Sequence, residues 1–349
     1  MDGWMDGWME RSVKFSDSAA SRSPHEGYYL TFVGLALLFM LWYRYTRTNG
    51  QPTQTIRRKV DNTRIQPVGG GHAIEVMAIG IEWVMPHLDD AQLVSLRAVY
   101  EANTDIKAFF PKLVPMQAFV FQGTNQFGVR GPDGSPQLEP KNLTPPQVVV
   151  RNGGFDLQNF DTEGKVAWVA SIRPEFISVN CTAYDRWKKV KPRALAILQP
   201  FLDAAMAKGA KINAIGLQYQ DAFRLLDGIS PAVTGELFRK NGRYLPLHLF
   251  DQPSLWHCHQ GWFSKAPDER RVLNNIATEV ADVNGTHFAR IGGQHRLFAS
   301  LADGVTPKPI TSREIDQILQ CLHDENKKVI NEILSDGALK AIGCTVGGT

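Results

Sequence analysis

The alternation of apolar and polar residues is clearest in residues 175–223. The first eight positions alternate with a period of two, which predicts a half-buried strand. Apolar residues then recur three and four positions apart over Trp187–Ala205, which predicts an amphipathic helix. We expect the main part of this helix to begin at Pro192, and Pro200 to kink it or end its regular part. A second alternating run over residues 212–220 predicts the next strand.

The same two periods predict the elements in the rest of the chain. Further strands are expected at His72–Trp83, Met116–Gln122, Gln147–Arg151, Lys165–Ile172, Leu255–Ser264, Val272–Val283 and Thr286–Ser300. Further helices are expected at Leu88–Asn103, at Val233–Phe238, and after the capping box that Thr311 and Glu314 form. Because hairpin-like spacing prevails over strand–helix–strand units, the sequence predicts an α+β fold. Its mainly antiparallel sheet should carry about three helices.

An uninterrupted apolar run of sixteen residues, Tyr28–Tyr43, precedes this region. As a helix it would be roughly 24 Å long against a hydrocarbon core of ~30 Å, and aromatic residues stand at both ends. We therefore predict one N-terminal transmembrane helix. A cleaved signal peptide is the alternative, but the basic leader and the small-residue cleavage site are missing. A buried core helix is a further alternative, against which the polar linker that follows the run argues.

The charges that flank the apolar run predict its orientation. Residues 1–27 hold three basic and five acidic side chains, whereas residues 44–64 hold six basic side chains and one acidic. Positive charge favours the cytoplasmic side, so we expect a single-pass protein of the cell inner membrane. Its N-terminus would lie outside and its C-terminal domain in the cytoplasm. Arg57, Arg58 and Lys59 are candidates for contact with anionic lipids, the alternative being a topology signal alone.

The predicted organisation follows from these segments. Residues 1–27 are expected to be disordered, although Met5 or Met9 could also be the start. The anchor occupies residues 28–45, a basic and glycine-containing linker residues 46–71, the cytoplasmic α+β domain residues 72–343, and a tail residues 344–349. Subdomains at 72–223 and 224–343 are an alternative within the domain.

Charge and cysteine content narrow the function classes. The net charge of +3 is contained in residues 1–64, which hold nine basic and six acidic residues, so the remainder is neutral. A neutral domain argues against a nucleic-acid partner, which normally requires a basic surface. The four cysteines lie far apart without a CxxC motif, which is typical of reduced thiols. No cofactor is expected, because neither Gly69–Gly71 nor Gly292-Gly293 has the context of a phosphate loop.

A resemblance to a known family rests on several short motifs. They are Ile177-Ser178-Val179-Asn180, Tyr184-x-x-Trp187, Ile212-x-x-Ile215-Gly216-Leu217-x-Tyr219, the opening His72-Ala73-Ile74-Glu75-Val76 and the closing Leu322-His323. Over about residues 62–343 the chain resembles a sporadically distributed family of uncharacterised prokaryotic α+β proteins. The resemblance implies no established activity, and the patchy distribution points to mobile or defence-associated genes. Where that family often has arginine and asparagine, this chain has Gln218 and Gln220-Asp221, so no role of that arginine is expected here.

The densest cluster of candidate metal ligands is His248, Asp251, His257 and His259. His257 and His259 are two positions apart on a predicted strand and should face the same side, and imidazole suits zinc, iron or copper. A further ligand could come from His287 or His295 on a neighbouring strand. The alternative is a partly exposed histidine pair without metal, because the spacing matches no standard site. Cys258, as a nucleophile, would need a base that its neighbours cannot supply, since they face the opposite side.

Aromatic residues of the same strand are candidates for a protein interface. Trp256, Trp262 and Phe263 could anchor a partner, or they could belong to the core. The absence of a catalytic constellation favours a membrane-anchored accessory or sensor protein with a cytoplasmic binding domain. A metal-dependent hydrolase built on His257 and His259 is the alternative function.

Overall fold

The structure of the protein is a computed structural model that describes residues 64–122, 147–301 and 308–344. These residues belong to a compact unit that extends from Asn62 to Thr349. The strands are β1 (Ile65–Pro67), β2 (Ile74–Trp83), β3 (Lys112–Gln122), β4 (Gln147–Phe160), β5 (Val166–Ile172), β6 (Phe176–Cys181), β7 (Ile212–Leu225), β8 (Trp256–Lys265), β9 (Arg270–Val283) and β10 (Thr286–Leu301). The helices are α1 (Asp90–Ala102), α2 (Thr104–Phe109), α3 (Trp187–Ala207), α4 (Pro231–Leu237), α5 (Ile315–Ile333) and α6 (Asp336–Ala341).

The predicted α+β class with a mainly antiparallel sheet is confirmed. The ten strands form one sheet in the order β3-β4-β5-β6-β2-β7-β10-β9-β8, and β1 pairs with β7. Each neighbouring pair is antiparallel. The described ranges contain six α-helices where about three were predicted. The short helix α4 lies where one was expected, at Val233–Phe238, whereas the short helices α2 and α6 were not predicted. The sheet runs without interruption through both predicted subdomains, and β1 lies inside the segment predicted as linker.

Helix α3 covers the apolar recurrence over Trp187–Ala205, but it is regular from its first residue, whereas its main part was expected to begin at Pro192. It begins at Trp187 and continues through Pro192 and Pro200 to Ala207. A proline inside a helix costs ~3 kcal/mol. One face of α3, however, buries five large apolar side chains, Val190, Ile197, Leu198, Phe201 and Leu202, and each such burial contributes roughly 1.5–3 kcal/mol. Packing therefore outweighs the two prolines, and sequence-local rules placed the start of the helix too late.

The ends of the other two long helices follow the capping rules. Asp89 caps α1 and forms a reciprocal pair of hydrogen bonds with Gln92. The predicted capping box of Thr311 and Glu314 is confirmed, and it opens a short 3-10 turn that leads into α5. None of the helices in the described part of the chain is long and apolar enough to cross a bilayer. The predicted span Tyr28–Tyr43 lies outside the described residues, as do Arg57, Arg58 and Lys59.

Strand β7 lies at the centre of the molecule, between β2 and β10. Its odd-numbered residues face the helices, and Tyr219 lies opposite Met77 on β2 and Gly293 on β10. The buried apolar residues form two clusters, of which the first includes Tyr219 and the second Phe223. The residue between them on the same face is Asp221, which is buried. A carboxylate is thus placed where the two halves of the core meet.

Candidate functional site

A cavity of about 200 Å³ opens beside Asp221 on the helix-covered side of the sheet. Five parts of the chain contribute to its walls: the loop before β2 with the start of β2, the loop before α3 with the start of α3, strand β7, helix α5, and the residues that follow α6. The side chains that matter most are those of His72, Tyr184, Trp187, Tyr219, Asp221 and His323. Asn326, Asn331, Lys327 and Cys344 also contribute to the lining. We call this cavity the aromatic pocket.

The rings of the aromatic pocket are mostly perpendicular to one another. His72 lies edge-on to Tyr184, with 5.4 Å between ring centroids and 74° between planes. Tyr184 is edge-on to Tyr219 at 6.2 Å and 88°, and Trp187 is edge-on to Tyr219 at 6.2 Å and 66°. Trp187 and His323 instead stack at 4.5 Å and 16°. Edge-to-face pairs of this kind are a favourable packing of aromatic rings, and here they give the pocket walls at right angles.

Asp221 supplies the carboxylate of the aromatic pocket. Burial raises its pKa to about 7, and burial is the only cause of the shift. Among the residues that the structure describes, no basic side chain forms an ion pair with Asp221, and none donates a hydrogen bond to it. Carboxylates with so little exposed surface are normally paired, because an ionised oxygen loses most of its hydration on burial. Asp221 is therefore the chemically unusual residue of the fold.

His323 is held by two of the neighbouring rings. Its Nδ1 lies 3.0 Å from the Tyr219 hydroxyl, and its ring stacks on Trp187. The indole nitrogen of Trp187 in turn donates to Gln320 at 2.9 Å. Burial lowers the pKa of His323 to about 4, so the ring is neutral at physiological pH. With the Tyr219 hydroxyl donating to Nδ1, the ring carries its proton on Nε2.

A second histidine, His295, lies behind the pocket and is fully buried. Its Nδ1 is 2.8 Å from Asn274 Oδ1, and its Nε2 is 3.1 Å from the side-chain oxygen of Asn326. Asn274 also donates to Ser264 at 2.9 Å. Burial lowers the pKa of His295. Because Asn326 also lines the pocket, this network fixes part of the α5 wall against the sheet.

Two basic side chains stand at the mouth of the aromatic pocket. Arg186 and Lys327 are both exposed, and Arg186 donates to the Gly71 carbonyl at 3.2 Å. The pocket thus combines a buried carboxylate with a positive rim.

The thiols are poor nucleophiles in this environment. Burial raises the pKa of Cys181 to about 12 and also raises the pKa values of Cys258, Cys321 and Cys344. The thiolate is the reactive form, so raised pKa values reduce reactivity. Cys258 points towards the second core cluster, away from the face that carries His257 and His259.

The structure places His257 and His259 side by side. Both are exposed on the same face of β8, and their ring centroids are 5.6 Å apart. His248 is an exposed residue of the 3-10 turn Leu247–Asp251. Among the described residues, no three His, Cys, Asp or Glu side chains gather closely enough to hold a metal ion. The metal site stays a prediction.

The suggestion that His287 or His295 approaches from a neighbouring strand is wrong. Both belong to β10, and β9 separates β10 from β8. His287 pairs with Asp282 at 3.1 Å, and His295 is buried on the helix-covered face.

The three aromatic residues predicted as a partner anchor do not share a face. Trp256 packs on Phe238 and Trp262 stacks on Tyr244, both against the second core cluster. Phe263 points the other way and is 60% exposed, with the Arg271 guanidinium 5.6 Å from its ring centroid. Neighbouring residues of a strand face opposite sides, so Phe263 faces away from the two tryptophans. The three side chains therefore do not form one continuous surface on β8.

Sequence reasoning missed the aromatic pocket as a site. All five of its rings belong to motifs that carry the family resemblance: His72, Tyr184, Trp187, Tyr219 and His323. The sequence showed each motif separately. It did not show that the five rings come together in the fold, because they are separated by as many as 251 positions. A polar residue on the apolar face of a core strand, Asp221 after Leu217 and Tyr219, was the local signal that could have indicated the site.

Comparison with known proteins does not assign the chain to a family. It matches no protein-family model, and no curated protein is significantly similar to it.

Proposed function

We propose that the chain is a membrane-anchored sensor or accessory protein whose folded domain binds a small ligand in the aromatic pocket and does not transform it. One observation carries the proposal, namely the buried carboxylate of Asp221, which lines a ring-walled cavity and has no basic partner in the described part of the chain. Pockets of this kind, mostly apolar with a few polar groups that converge, are typical of ligand sites. A partly ionised buried acid in a cleft is a further indicator of function.

The ionisable groups of the pocket favour binding over catalysis. Catalysis by a nucleophile requires an activating base within hydrogen-bond reach. The pKa of His323, lowered to about 4, makes it a weak base at neutral pH. The raised pKa of Cys344 keeps its thiol protonated. Asp221 is the one carboxylate among the described lining residues, so the paired acids that many hydrolases use are not assembled there.

The anchor and the partners belong to the same proposal. Residues 28–43 would hold the domain at the cytoplasmic side of the inner membrane, with Arg57, Arg58 and Lys59 near anionic lipid head groups. A ligand-binding domain at this position is what an accessory protein would need in order to transmit ligand binding to a protein partner. The family resemblance supports a defence-associated setting.

A test of the pocket is thermal unfolding of the full chain in detergent with a panel of small cationic, anionic and neutral metabolites. At least one class should raise the unfolding temperature, because a ligand that binds only the folded state stabilises it. Asn331→Trp should abolish the rise, since Asn331 lines the pocket and an indole would fill it. Lys328→Trp is the matched control on the same helix, since Lys328 is 75% exposed and does not line the pocket. No response from any class, or an equal response in Asn331→Trp, would contradict the proposal.

The anchor has a separate test. Full-length protein should sediment with membranes and resist extraction by high salt and alkali, because burial of sixteen apolar residues does not depend on charge. A C-terminal tag should be inaccessible to protease in intact cells. Full-length protein in the soluble fraction, or a tag that is cleaved from outside, would rule out this topology.

A further inference from the structure

The chemistry of the aromatic pocket also indicates which kind of ligand it takes, provided that the proposed function is right. Asp221 is 4% exposed and lines the cavity. Within the described ranges no arginine, lysine or histidine forms an ion pair with it. An ionised carboxylate in such a place is stable only when a cation or several donors accompany it. Because described side chains supply neither, the complementary charge is expected to come from a ligand.

The rings fit a compact cation. Successive rings meet at 74°, 88° and 66°, so neighbouring rings form corners of the pocket and not parallel walls. Aromatic faces attract cations through the ring quadrupole, and several rings around one site are the usual means of binding a quaternary ammonium group. Because Tyr184 and Tyr219 meet at 88° and both lie near Asp221, they form a corner next to the carboxylate.

The same angles argue against a flat aromatic ligand. A planar base binds between parallel rings that stand about two ring thicknesses apart, or roughly 7 Å. The pocket rings described in the structure include one parallel pair, Trp187 and His323. Their centroids are 4.5 Å apart, so they already touch and leave no slot.

Size and rim charge define the rest of the ligand. A volume of about 200 Å³ corresponds to about seven water molecules at ~30 Å³ each. This is enough for a trimethylammonium head group with a short tail. At the mouth, Arg186 and Lys327 offer positive charge to an anionic group. A ligand with a cation at one end and an anion at the other would match both ends of the pocket.

We propose that the aromatic pocket binds a small methylated ammonium compound, with the ammonium group against Asp221 and the ring walls. A zwitterion whose anionic group meets Arg186 and Lys327 is the preferred form.

Isothermal titration of the full chain in detergent at pH 8 tests this proposal with four probes. They are tetramethylammonium, choline, glycine betaine and 3,3-dimethylbutan-1-ol, which is the neutral isostere of choline. Choline should bind at least about tenfold more tightly than the isostere, because the attraction between its positive charge and the buried carboxylate has no counterpart in the neutral isostere. Glycine betaine should bind more tightly than choline because its carboxylate reaches the basic rim.

Two variants separate the two ends of the ligand. Asp221→Asn should weaken choline binding about ten- to hundredfold and leave the isostere unchanged, because only the charge of the carboxylate is removed. Arg186→Gln should reduce the advantage of glycine betaine over choline, because one of the two basic groups at the mouth is lost. Equal binding of choline and its isostere, or no effect of Asp221→Asn, would overturn the proposal.

The pH dependence gives an independent check. The groups that face Asp221 are Tyr184, Tyr219 and Cys344, all with pKa values raised by burial, so they stay neutral below pH 8. His323 is also neutral there, and burial lowers the pKa of His72, which lines the same pocket; Arg186 and Lys327 are the basic groups at the mouth. With the pKa of Asp221 at about 7, the ionised fraction rises from about a tenth at pH 6 to about nine tenths at pH 8. Choline affinity should rise about tenfold over that range.

Failure of this inference and failure of the proposed function give different results. If a neutral or anionic metabolite stabilises the protein and Asn331→Trp abolishes the effect, while no ammonium probe binds better than the isostere, the pocket is a ligand site for another class. If no compound binds, both proposals fall.

Discussion

Replacing Asp221 by asparagine is expected to make the folded protein more stable at pH 8, by on the order of 4 kcal/mol. The reason is that burial raises the pKa of this carboxyl from 3.8 to about 7. At pH 8 the wild-type protein must hold an ionised carboxylate that lacks a described cationic partner, whereas asparagine is neutral and nearly the same shape. A substitution at a buried position normally lowers the free energy of unfolding. An increase would therefore indicate that the ionised carboxylate of Asp221 destabilises the fold, as expected of a residue kept for ligand binding.

The sign of the effect follows from proton linkage. The folded state holds the Asp221 proton more tightly than the unfolded chain does, so this group stabilises the fold fully below pH 4. That contribution is lost as the pH rises from about 4 to about 7. The gain from Asp221→Asn should therefore be near zero at pH 4 and reach its full value at pH 8. His323 acts in the opposite direction, because burial lowers its pKa in the folded protein from the ordinary 6.5 to about 4. Its contribution is present above pH 6.5 and is lost as the pH falls to 4.

The measurement is the urea midpoint of the full chain in detergent, at pH 4 and pH 8. Glu332→Gln is the control, since Glu332 is an exposed carboxylate on α5 that does not line the pocket, and its removal should change stability by less than about 0.5 kcal/mol. In the Asp221→Asn protein, stability should rise with pH between 4 and 6.5, because the His323 contribution is then unopposed. A loss of stability at pH 8 would show that Asp221 is paired in solution.

Replacing Gly154 by alanine is expected to cost on the order of 3 kcal/mol or more, because two separate penalties combine at this position. Gly154 has a φ of +88°, which only glycine adopts freely. A Cβ there would also lie 1.9 Å from the Ile172 carbonyl oxygen. That oxygen cannot move away easily, since Arg173 Nη1 donates to it at 3.1 Å and to the Phe155 carbonyl at 2.8 Å.

Gly164→Ala is the matched control for this prediction. Gly164 has a φ of +77°, but a Cβ there would meet nothing within 4 Å. It should cost only about 1–2 kcal/mol, which is the strain of the left-handed conformation alone. The difference between the two urea midpoints isolates the clash with Ile172. If Gly164→Ala accumulates as folded protein and Gly154→Ala does not, the prediction is also supported, because the loss of stability in Gly154→Ala is then too large to measure. Equal losses would show that β4 and β5 separate readily at this point.

The strands show how far the sequence determined the fold. Strand β7 was predicted from the alternation over residues 212–220, because one side of the strand is covered by helices, and it extends from Ile212 to Leu225. Strand β4 was predicted to end at Arg151, yet it continues to Phe160. Gly153 and Gly154 form an irregularity in the pairing of β3 with β4, where the register shifts between Pro115 and Gln117, and the strand continues beyond it. A glycine pair can end a strand or bend it, and the partner strand decides which. The residues next to the glycines carry no information about that partner.

The candidate site was harder to predict for a related reason. The histidines of residues 248–259 were predicted as a metal site because they lie within a dozen positions of one another. The aromatic pocket is assembled instead by strand register and helix packing, which bring Tyr184, Tyr219 and His323 together from distant parts of the chain. The sequence did contain a polar interruption at Asp221, but its meaning depends on the burial that the two core clusters impose. Long-range packing, not local spacing, produced the site.

The most direct test of the central claim is the ionisation of Asp221 itself, measured by NMR of the full chain with ¹³C-labelled aspartate side chains. Asp221→Asn assigns the signal by its disappearance. We expect the free protein to titrate with a pKa of about 7. Saturating choline should lower that pKa by about one unit, because a bound cation favours the ionised form by about tenfold. A pKa near 4 in the free protein, or a pKa that choline leaves unchanged, would contradict the account.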